Sequence, residues 1–263
     1  KLLTGLSIIR QETVDKEEFR GQRVFITGSN RGLGKAIAIA FAKLGADLVM
    51  HSRNDSLEFD LFVSDLEQQF KIKVNTVFFD LRDHVSMKAS VKELHLQKLY
   101  SNILINSAGV PAGGLFQMTS MESIRDVFEI NLFSQMELTQ LLLRPMIKHK
   151  HGCVINLCSI AGQDLHAGNS AYGASKAALA AFTRTLAAET GGSGVRVNAV
   201  APGLCDTQMA KQMENNAALQ MIDSSSMKRL GKPEEIASVV TFLASRDANF
   251  INGQILRVDG GIA

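Results

Sequence analysis

The sequence predicts an α/β fold in which helices cover both faces of a doubly wound, mostly parallel sheet of seven strands, giving three layers. Short β-branched runs alternate with longer helical patterns from residue 23 to residue 260. This alternation is typical of successive βαβ units. No linker or low-complexity tract interrupts it, and hydrophobic residues make up 46% of the 263-residue chain against 21% charged residues. Such a composition supports one large buried core.

Each element follows from its own pattern along the chain. The predicted strands are short and apolar, at residues 23–27, 46–52, 73–79, 101–106, 152–159, 195–201 and 254–260. Helical patterns separate them, at residues 32–45, 57–70, 83–98, 120–150, 171–190 and 233–245. Pro233 opens the last helix, a position where its missing N–H removes no helical bond. We expect residues 1–20 to be an N-terminal extension and residues 21–263 to form one domain that holds both cofactor and substrate.

Charge and cysteine content restrict the class of protein. The 28 basic and 26 acidic side chains are spread along the sequence, which disfavours a nucleic-acid partner. The three cysteines form no CxxC pair, as expected of free thiols in a reducing cytosol. No apolar run approaches the roughly 20 residues of a membrane span. The sequence therefore predicts a cytoplasmic protein that acts on a small molecule, and the scattered histidines indicate no metal site.

A glycine-rich turn follows the first predicted strand. In TGSNRGLG (27–34), Gly28 permits a tight turn, Gly32 lets the backbone approach a pyrophosphate, and Gly34 lets helix and strand pack closely. The helix N-terminus adds N–H donors and a positive dipole. The spacing differs from GxGxxG, so an ordinary strand-to-helix turn is the alternative interpretation of this segment alone.

Residues after the second strand indicate which dinucleotide binds. An acidic side chain there would bind the 2′-hydroxyl of NAD, but this chain has Ser52 followed by Arg53. Arg31 lies in the glycine turn, so two guanidiniums could hold a 2′-phosphate. The sequence therefore predicts a preference for NADP(H), with NAD(H) possible. The alternative is that these arginines are solvated surface charges.

Three side chains suggest acid–base chemistry. Tyr172 and Lys176 are four residues apart in a helical segment, so both lie on one helix face. A nearby ammonium is expected to lower the pKa of the phenol from about 10. Ser159 ends the preceding strand, where a hydroxyl would enter the ligand crevice of an open sheet. These residues are candidates for carbonyl reduction or alcohol oxidation.

Taken together, these segments resemble the short-chain dehydrogenase/reductase superfamily. The resemblance covers roughly residues 20–261 and lies closest to the compact group of 3-oxoacyl-[acyl-carrier-protein] reductases and gluconate 5-dehydrogenases. It implies a Rossmann fold, a homotetramer and an NAD(P)-dependent oxidoreductase. The matching segments are TGSNRGLG, Asp80, NSAG (106–109), Asn131, Ser159, YGASK (172–176), PGLCDT (202–207), RLGKPEEIA (229–237) and INGQILRVDGG (251–261).

The resemblance also implies residue roles. Asn131, Ser159, Tyr172 and Lys176 would form the catalytic tetrad, in which Asn131 positions a water. Asp80 would contact adenine, and Thr207 would secure the nicotinamide end. One departure is Ser107, where the family usually has asparagine. The cofactor-binding residues expected on these grounds are Gly28, Asn30, Arg31, Gly32, Leu33, Gly34, Ser52, Arg53, Asn54, Asp80, Leu81, Asn106, Ala108, Gly109, Tyr172, Lys176, Pro202, Gly203 and Thr207.

The sequence leaves the substrate open. A 3-oxoacyl thioester, a sugar acid or another small ketone or alcohol would fit, because the residues that shape the pocket lie in loops at 110–118, 160–170 and 204–228. His166 is a candidate substrate contact. A non-catalytic dinucleotide sensor is the alternative function, although it would not need Tyr172 and Lys176. A methyltransferase, which also uses a glycine-rich turn, would not need them either.

Overall fold

The computed structural model describes residues 17–164, 167–208, 210 and 215–262. Its strands are β1 (Arg23–Ile26), β2 (Asp47–Ser52), β3 (Val74–Phe78), β4 (Ile103–Asn106), β5 (Gly152–Leu157), β6 (Val195–Pro202) and β7 (Ile255–Val258). Its α-helices are α1 (Gly32–Lys43), α2 (Leu57–Phe70), α3 (His84–Leu96), α4 (Met121–Phe128), α5 (Ser134–Lys148), α6 (Ser170–Thr190), α7 (Asn215–Ser224) and α8 (Pro233–Ala244). None of the helices in these ranges is both long and apolar enough to cross a membrane.

The strands form one sheet in the order β3-β2-β1-β4-β5-β6-β7. Every pairing between neighbouring strands is parallel. The order reverses at β1, whose neighbours are β2 and β4. In open α/β sheets, ligands bind outside the carboxyl ends of the strands at such a reversal. The predicted doubly wound, seven-stranded sheet is confirmed, and it is parallel throughout the described strands.

Successive side chains of a strand pack into hydrophobic layers on opposite faces of the sheet. Val24 and Ile26 of β1 pack with residues of α1, α2 and α8 on one face of the sheet. Phe25, between them, packs with residues of α3, α5 and α6 on the other face. Such a period of two is expected when both faces of a strand are covered. Burying a side chain such as Phe25 contributes about 1.5–3 kcal/mol.

The helix predicted over residues 120–150 is interrupted. It consists of α4 and α5 joined by a π-helical turn at Glu129–Phe133. Such a turn inserts one residue into an otherwise regular helix, which hydrophobic periodicity does not reveal. Helix α7 (Asn215–Ser224) lies within residues 204–228, which were predicted to be a loop. Pro233 does begin α8 as expected.

The described end of the predicted N-terminal extension packs on the domain. Phe19 is fully buried, and its ring meets Phe41 of α1 edge-on at 4.9 Å between centroids. Its backbone N–H donates to Leu44 O at 2.9 Å. Residues 1–16 and the predicted substrate contact His166 lie outside the described residues.

Candidate active site

The glycine turn between β1 and α1 has a shape that only glycine permits. Gly28 and Gly32 have φ angles of 63° and 55°, a region that side chains with a Cβ rarely adopt. A Cβ on Gly34 would lie 2.2 Å from Gly28 O, so α1 can approach the turn only through a glycine. No described side chain caps the start of α1. Its backbone N–H groups therefore remain available to an anion such as a pyrophosphate.

Thr27 joins this turn to the segment after β4. Its hydroxyl oxygen accepts hydrogen bonds from the backbone N–H groups of Ser107 and Ala108, each at 2.9 Å. Ala108 also contacts Gly28, since a Cβ on that glycine would lie 3.1 Å from Ala108 Cα. The Ser107 contact uses only its backbone, so the substitution of the usual asparagine leaves this connection intact.

Asn106, one of the residues expected to bind the cofactor, has its side chain buried within the sheet. Its amide donates to Thr139 Oγ1 at 3.0 Å and to Asn156 Oδ1 at 2.8 Å. Asn156 in turn donates to Thr183 Oγ1 at 2.8 Å. This buried chain of bonds links α5 and α6 across the ends of β4 and β5. The side chain of Asn106 therefore stabilises the sheet, which leaves only its backbone to the cofactor.

The residues expected near the adenosine ribose lie at the end of β2. Ser52 is buried, and its hydroxyl donates to Asn54 O at 2.9 Å, which closes the turn. Arg53 and Arg31 are exposed. Arg31 reaches across the cleft, where its guanidinium donates to Gln208 Oε1 at 3.3 Å. Both arginines thus remain accessible to a phosphate.

Asp80 is already engaged by a neighbouring arginine. Its carboxylate accepts from Arg82 Nη2 at 2.8 Å, from Arg82 Nε at 3.1 Å and from the Arg82 backbone N–H at 2.9 Å. These bonds lower the pKa of Asp80 to about 2. The carboxylate is ionised at neutral pH and is suited to accept a hydrogen bond from an amine. Leu81, also expected near the cofactor, is buried, and its carbonyl accepts from Ser134 Oγ at 2.6 Å.

Asn131 lies in the π turn and is completely buried. Its side-chain amide pairs with both backbone groups of Val110, accepting from the N–H at 2.9 Å and donating to the carbonyl at 3.0 Å. It also donates to Ser175 Oγ at 3.2 Å. The amide therefore ties the loop after β4 to α6. Gly109 permits this arrangement, since a Cβ there would lie 3.1 Å from Asn131 Oδ1 and 3.4 Å from Lys176 Nζ.

Ser159, Tyr172 and Lys176 converge beyond the carboxyl end of β5. Tyr172 and Lys176 lie one turn apart near the start of α6, and the Ser159 side chain lies close enough to the Tyr172 phenol to act on its pKa, in the lowering direction. The segment after Ser159 packs tightly on α6, because a Cβ on Gly173 would lie 2.5 Å from Ala161 O. The expected arrangement of these three residues is therefore present in the fold.

Burial controls the ionisation of this group. It lowers the pKa of Lys176 to about 8, since the ammonium loses water. It also raises the pKa of Tyr172, because desolvation of the phenol outweighs the lowering effect of the nearby Ser159 side chain. The sequence predicted a lowered pKa for the phenol, and the structure has the opposite direction. The reason is that desolvation of the phenol dominates, while Lys176 Nζ donates to Leu157 O at 2.8 Å and lies 6.0 Å from the centre of the Tyr172 ring.

The segment after β6 forms the opposite side of the cleft. Pro202 is buried at the end of that strand. Gly203 packs against Asp259, since a Cβ on Gly203 would lie 2.8 Å from Asp259 Cα. Thr207 lies beside the glycine turn, with its methyl carbon 3.7 Å from the position of a Cβ on Gly32. Thr207, expected at the nicotinamide end, thus lies beside Gly32, which is expected to approach the pyrophosphate. Of the turn residues, Asn30 is exposed, whereas Leu33 packs against the core.

Two residues that support the site were not found from the sequence. Thr27 was assigned only as the last residue of a strand, and Gln135 only as part of a helix. Gln135 is buried and donates from Nε2 to Ala108 O at 2.7 Å. Both act through backbone atoms distant in sequence, so no local motif signals them. Among the described residues, no group of three or more His, Cys, Asp or Glu side chains is arranged to hold a metal ion.

Comparison with known proteins gives consistent matches over nearly the whole chain. A family model described as enoyl-(acyl carrier protein) reductase matches residues 28–263. A 3-oxoacyl-[acyl-carrier-protein] reductase from Chlamydia muridarum is 33% identical over 238 residues, which is 90% of this chain and 96% of that protein.

Solved structures also resemble the chain over nearly its whole length. A 3-oxoacyl-[acyl-carrier protein] reductase from Brucella melitensis with bound NAD has a TM-score of 0.87 and 27% identity, covering 98% of both chains. A protein from Agrobacterium tumefaciens assigned as a gluconate dehydrogenase has a TM-score of 0.89 and 26% identity, covering 94% of this chain and 98% of its own.

Proposed function

Since the chain belongs to the short-chain dehydrogenase/reductase family, we propose that it reduces the 3-oxo group of a carrier-bound acyl thioester to a 3-hydroxyl group with NADPH. The chain is an NAD(P)-dependent oxidoreductase that acts on a carbonyl or alcohol group. The substrate, the choice of NADPH and the roles of individual residues are the parts that we propose.

The proximity of the Ser159 and Tyr172 side chains beyond the end of β5 carries the proposed chemistry. Two hydroxyl groups that meet at the end of a strand can both bond one carbonyl oxygen. Because burial raises the pKa of Tyr172, the phenol is protonated at neutral pH. It is therefore a proton donor rather than a base in this state, which suits reduction.

The proton that the reduction consumes comes from a side chain of this protein. When bound, the nicotinamide supplies the hydride that reaches the carbonyl carbon. Tyr172 gives its proton to the oxygen as negative charge develops there, and Ser159 donates a hydrogen bond to that oxygen. The product is a secondary alcohol, and the phenolate regains a proton from solvent. Lys176 lies one helical turn away and stabilises the phenolate during that interval.

The arrangement of Asn131 supports the same assignment. Its side chain is fully used by Val110 and Ser175, so it holds the loop after β4 against α6. Asn131 lies in the π turn, whose i→i+5 bonding differs from that of a regular α-helix. We propose that the backbone carbonyl, rather than the amide, holds the water through which Lys176 exchanges protons.

The preference for NADPH is supported by charge. Arg31 and Arg53 are exposed at the two turns that flank the predicted 2′-phosphate position, and Ser52 leaves that position without an acid. The ionised Asp80 suits contact with the adenine amine. The uncapped start of α1 suits the pyrophosphate.

The substrate proposal is supported by relatives that act on 3-oxoacyl groups. The Chlamydia muridarum protein is one of these. The alternative substrate is a sugar acid, which the Agrobacterium tumefaciens structure supports. The family description instead names enoyl reductases, which reduce a carbon–carbon double bond. The paired hydroxyls of Ser159 and Tyr172 favour a carbonyl oxygen over that bond.

A substrate panel tests the proposal. Purified protein would be given NADPH with a 3-oxoacyl thioester, a matched 2-enoyl thioester or a keto sugar acid, and NADPH consumption followed by absorbance. We expect turnover of the 3-oxoacyl thioester with a kcat/KM at least tenfold above the other two. Preferential reduction of the enoyl thioester or the sugar acid would contradict the substrate assignment, and use of NADH over NADPH would contradict the cofactor assignment.

A further inference from the structure

We infer that His51 is a positioning residue that sets the distance between the pyrophosphate end and the adenine end of the cofactor site. The inference rests on dinucleotide binding by this chain and does not depend on which carbonyl compound is reduced. His51 lies next to last in β2 and is 2% exposed. It is the point at which the glycine turn, β2 and the end of β3 are joined by hydrogen bonds.

On one side, His51 holds the glycine turn. Its backbone carbonyl accepts from the Ser29 N–H at 3.0 Å and from Ser29 Oγ at 3.1 Å. Its ring Nδ1 accepts from the Gly28 N–H at 3.3 Å. Three bonds thus converge on one residue from two consecutive residues of the turn. The first two bonds use only the backbone of His51, whereas the third requires its side chain.

On the other side, His51 holds the end of β3. Ring Nε2 donates to Phe79 O at 2.9 Å, and the two rings pack with their centres 4.1 Å apart. Phe79 directly precedes Asp80, the residue expected to contact adenine. The imidazole therefore spans the space between the backbone that would bind the pyrophosphate and the backbone that positions the adenine contact.

This bridge needs a neutral imidazole with one specific tautomer. Nδ1 must be the acceptor and Nε2 must carry the hydrogen, because Gly28 offers an N–H and Phe79 offers a carbonyl. Burial lowers the pKa of His51 to about 4, although the Asp80 carboxylate and the Phe79 carbonyl act in the opposite direction. The ring is accordingly neutral at physiological pH, and both bonds persist.

The two ring nitrogens can be tested separately. Asparagine places a polar atom near Nδ1 and glutamine places one near Nε2, so His51→Asn retains the bond to Gly28 and His51→Gln retains the bond to Phe79. His51→Leu retains neither. Met50→Ala is the matched control, since Met50 is the fully buried neighbour on β2 that packs in the apolar core. Circular dichroism would establish that each variant is folded.

The measurement is calorimetric binding of two probes. Adenosine 5′-diphosphate spans both ends of the site, whereas adenosine reaches only the adenine end. For His51→Leu we expect the Kd of the spanning probe to rise about 10- to 100-fold, with a much smaller change for the short probe. His51→Asn and His51→Gln should each give an intermediate loss. Met50→Ala should affect both probes alike.

Each other outcome overturns the inference. If His51→Leu binds the spanning probe like the wild type, or loses both probes to the same extent as Met50→Ala, the side chain has only a structural role. If His51→Leu does not fold, wild-type affinity for the spanning probe in both the Asn and the Gln variants leads to the same conclusion. Because these probes contain no substrate, failure of the proposed thioester reduction would leave the result unchanged.

Discussion

Lys176 Nζ donates a hydrogen bond to the carbonyl of Leu157 at 2.8 Å, which anchors a buried ammonium at the end of β5. The folded chain therefore keeps a cation where water is excluded, and the pKa of Lys176 falls to about 8 as a result. A buried charge of this kind reduces stability. It is retained, we argue, because catalysis requires it beside Tyr172.

Replacing this lysine should separate stability from activity. Lys176→Met removes a group whose pKa is lower in the folded than in the unfolded chain, so the variant should gain about 2 kcal/mol at pH 7, after allowing for the lost hydrogen bond. The cost of the lysine is full below about pH 8 and disappears as pH rises to the unfolded value of 10.5. Thermal unfolding at pH 7 and pH 10 should therefore show a gain that shrinks at the higher pH.

The control for this measurement is Lys92→Met on α3, since Lys92 is exposed and should show little change. Turnover by Lys176→Met should be lost at both pH values. A variant that is less stable than the wild type at pH 7 would show that the buried ammonium contributes more through its contacts than it costs through desolvation.

Tyr172→Phe tests the proton donor. We expect turnover to fall by roughly 10² to 10⁴, the usual worth of general acid catalysis, while NADPH affinity is retained. In alcohol oxidation the phenolate must accept the proton, so the wild-type rate should increase with pH toward the raised pKa of Tyr172. That increase should be absent in the variant. Stopped-flow rates across pH 6–10 measure both effects.

The chain offers a matched control, because it contains only one other tyrosine, Tyr100. Tyr100 is 41% exposed and its ring lies 5.2 Å from that of His95, so Tyr100→Phe should leave turnover unchanged. Near wild-type turnover by Tyr172→Phe on an identified substrate would refute the assigned role.

The preference for NADPH should depend on two arginines. Replacing both Arg31 and Arg53 with glutamine removes the charge-assisted hydrogen bonds expected for a 2′-phosphate. The ratio of NADPH affinity to NADH affinity should therefore fall about 10- to 100-fold. Fluorescence titration with each cofactor gives the ratio. Arg125→Gln, an exposed change on α4, should not alter it. A wild-type protein that binds NADH as tightly as NADPH would contradict the prediction.

A tetramer is expected, and α6 offers a surface for close helix packing. Ala174, Ala177 and Ala181 are exposed along one side of α6, and small side chains let a second helix approach closely. Ala181→Arg should shift the protein toward smaller species in multi-angle light scattering at micromolar concentration. Gln97→Arg, an exposed change after α3, should not. A monomeric wild type would exclude the assembly.

The sequence predicted the elements that have their own periodicity. Six of the seven strands lie within the predicted ranges and β6 extends one residue beyond its range, to Pro202, because buried strands are recognisable as short β-branched runs. The turn at Glu129–Phe133 was not predicted, since one added residue hardly changes the apolar pattern on either side. Helix α7 was not predicted because its segment is polar and lacks the strong caps that mark a helix start.

The site was predictable where its chemistry lies within a short segment. Tyr172 and Lys176 are four residues apart, and the glycines of the turn directly follow a strand. His51 and Thr27 gave no such signal, because their partners are backbone atoms of Phe79 and Ala108, 28 and 81 positions away. The direction of the Tyr172 pKa was also not predictable, since it depends on how deeply the fold buries the phenol.

Because of the π turn, the orientation of α5 depends on the exact number of residues between Glu129 and Phe133. One residue advances an α-helix by about 100°, so the extra residue orients α5 relative to α4. Deleting any one residue from Glu129–Phe133 would turn Leu138, Leu142 and Met146 away from the core in which they are buried, or else withdraw Asn131 from Val110. The number of residues in this turn therefore sets the rotation of the whole of α5 about its axis.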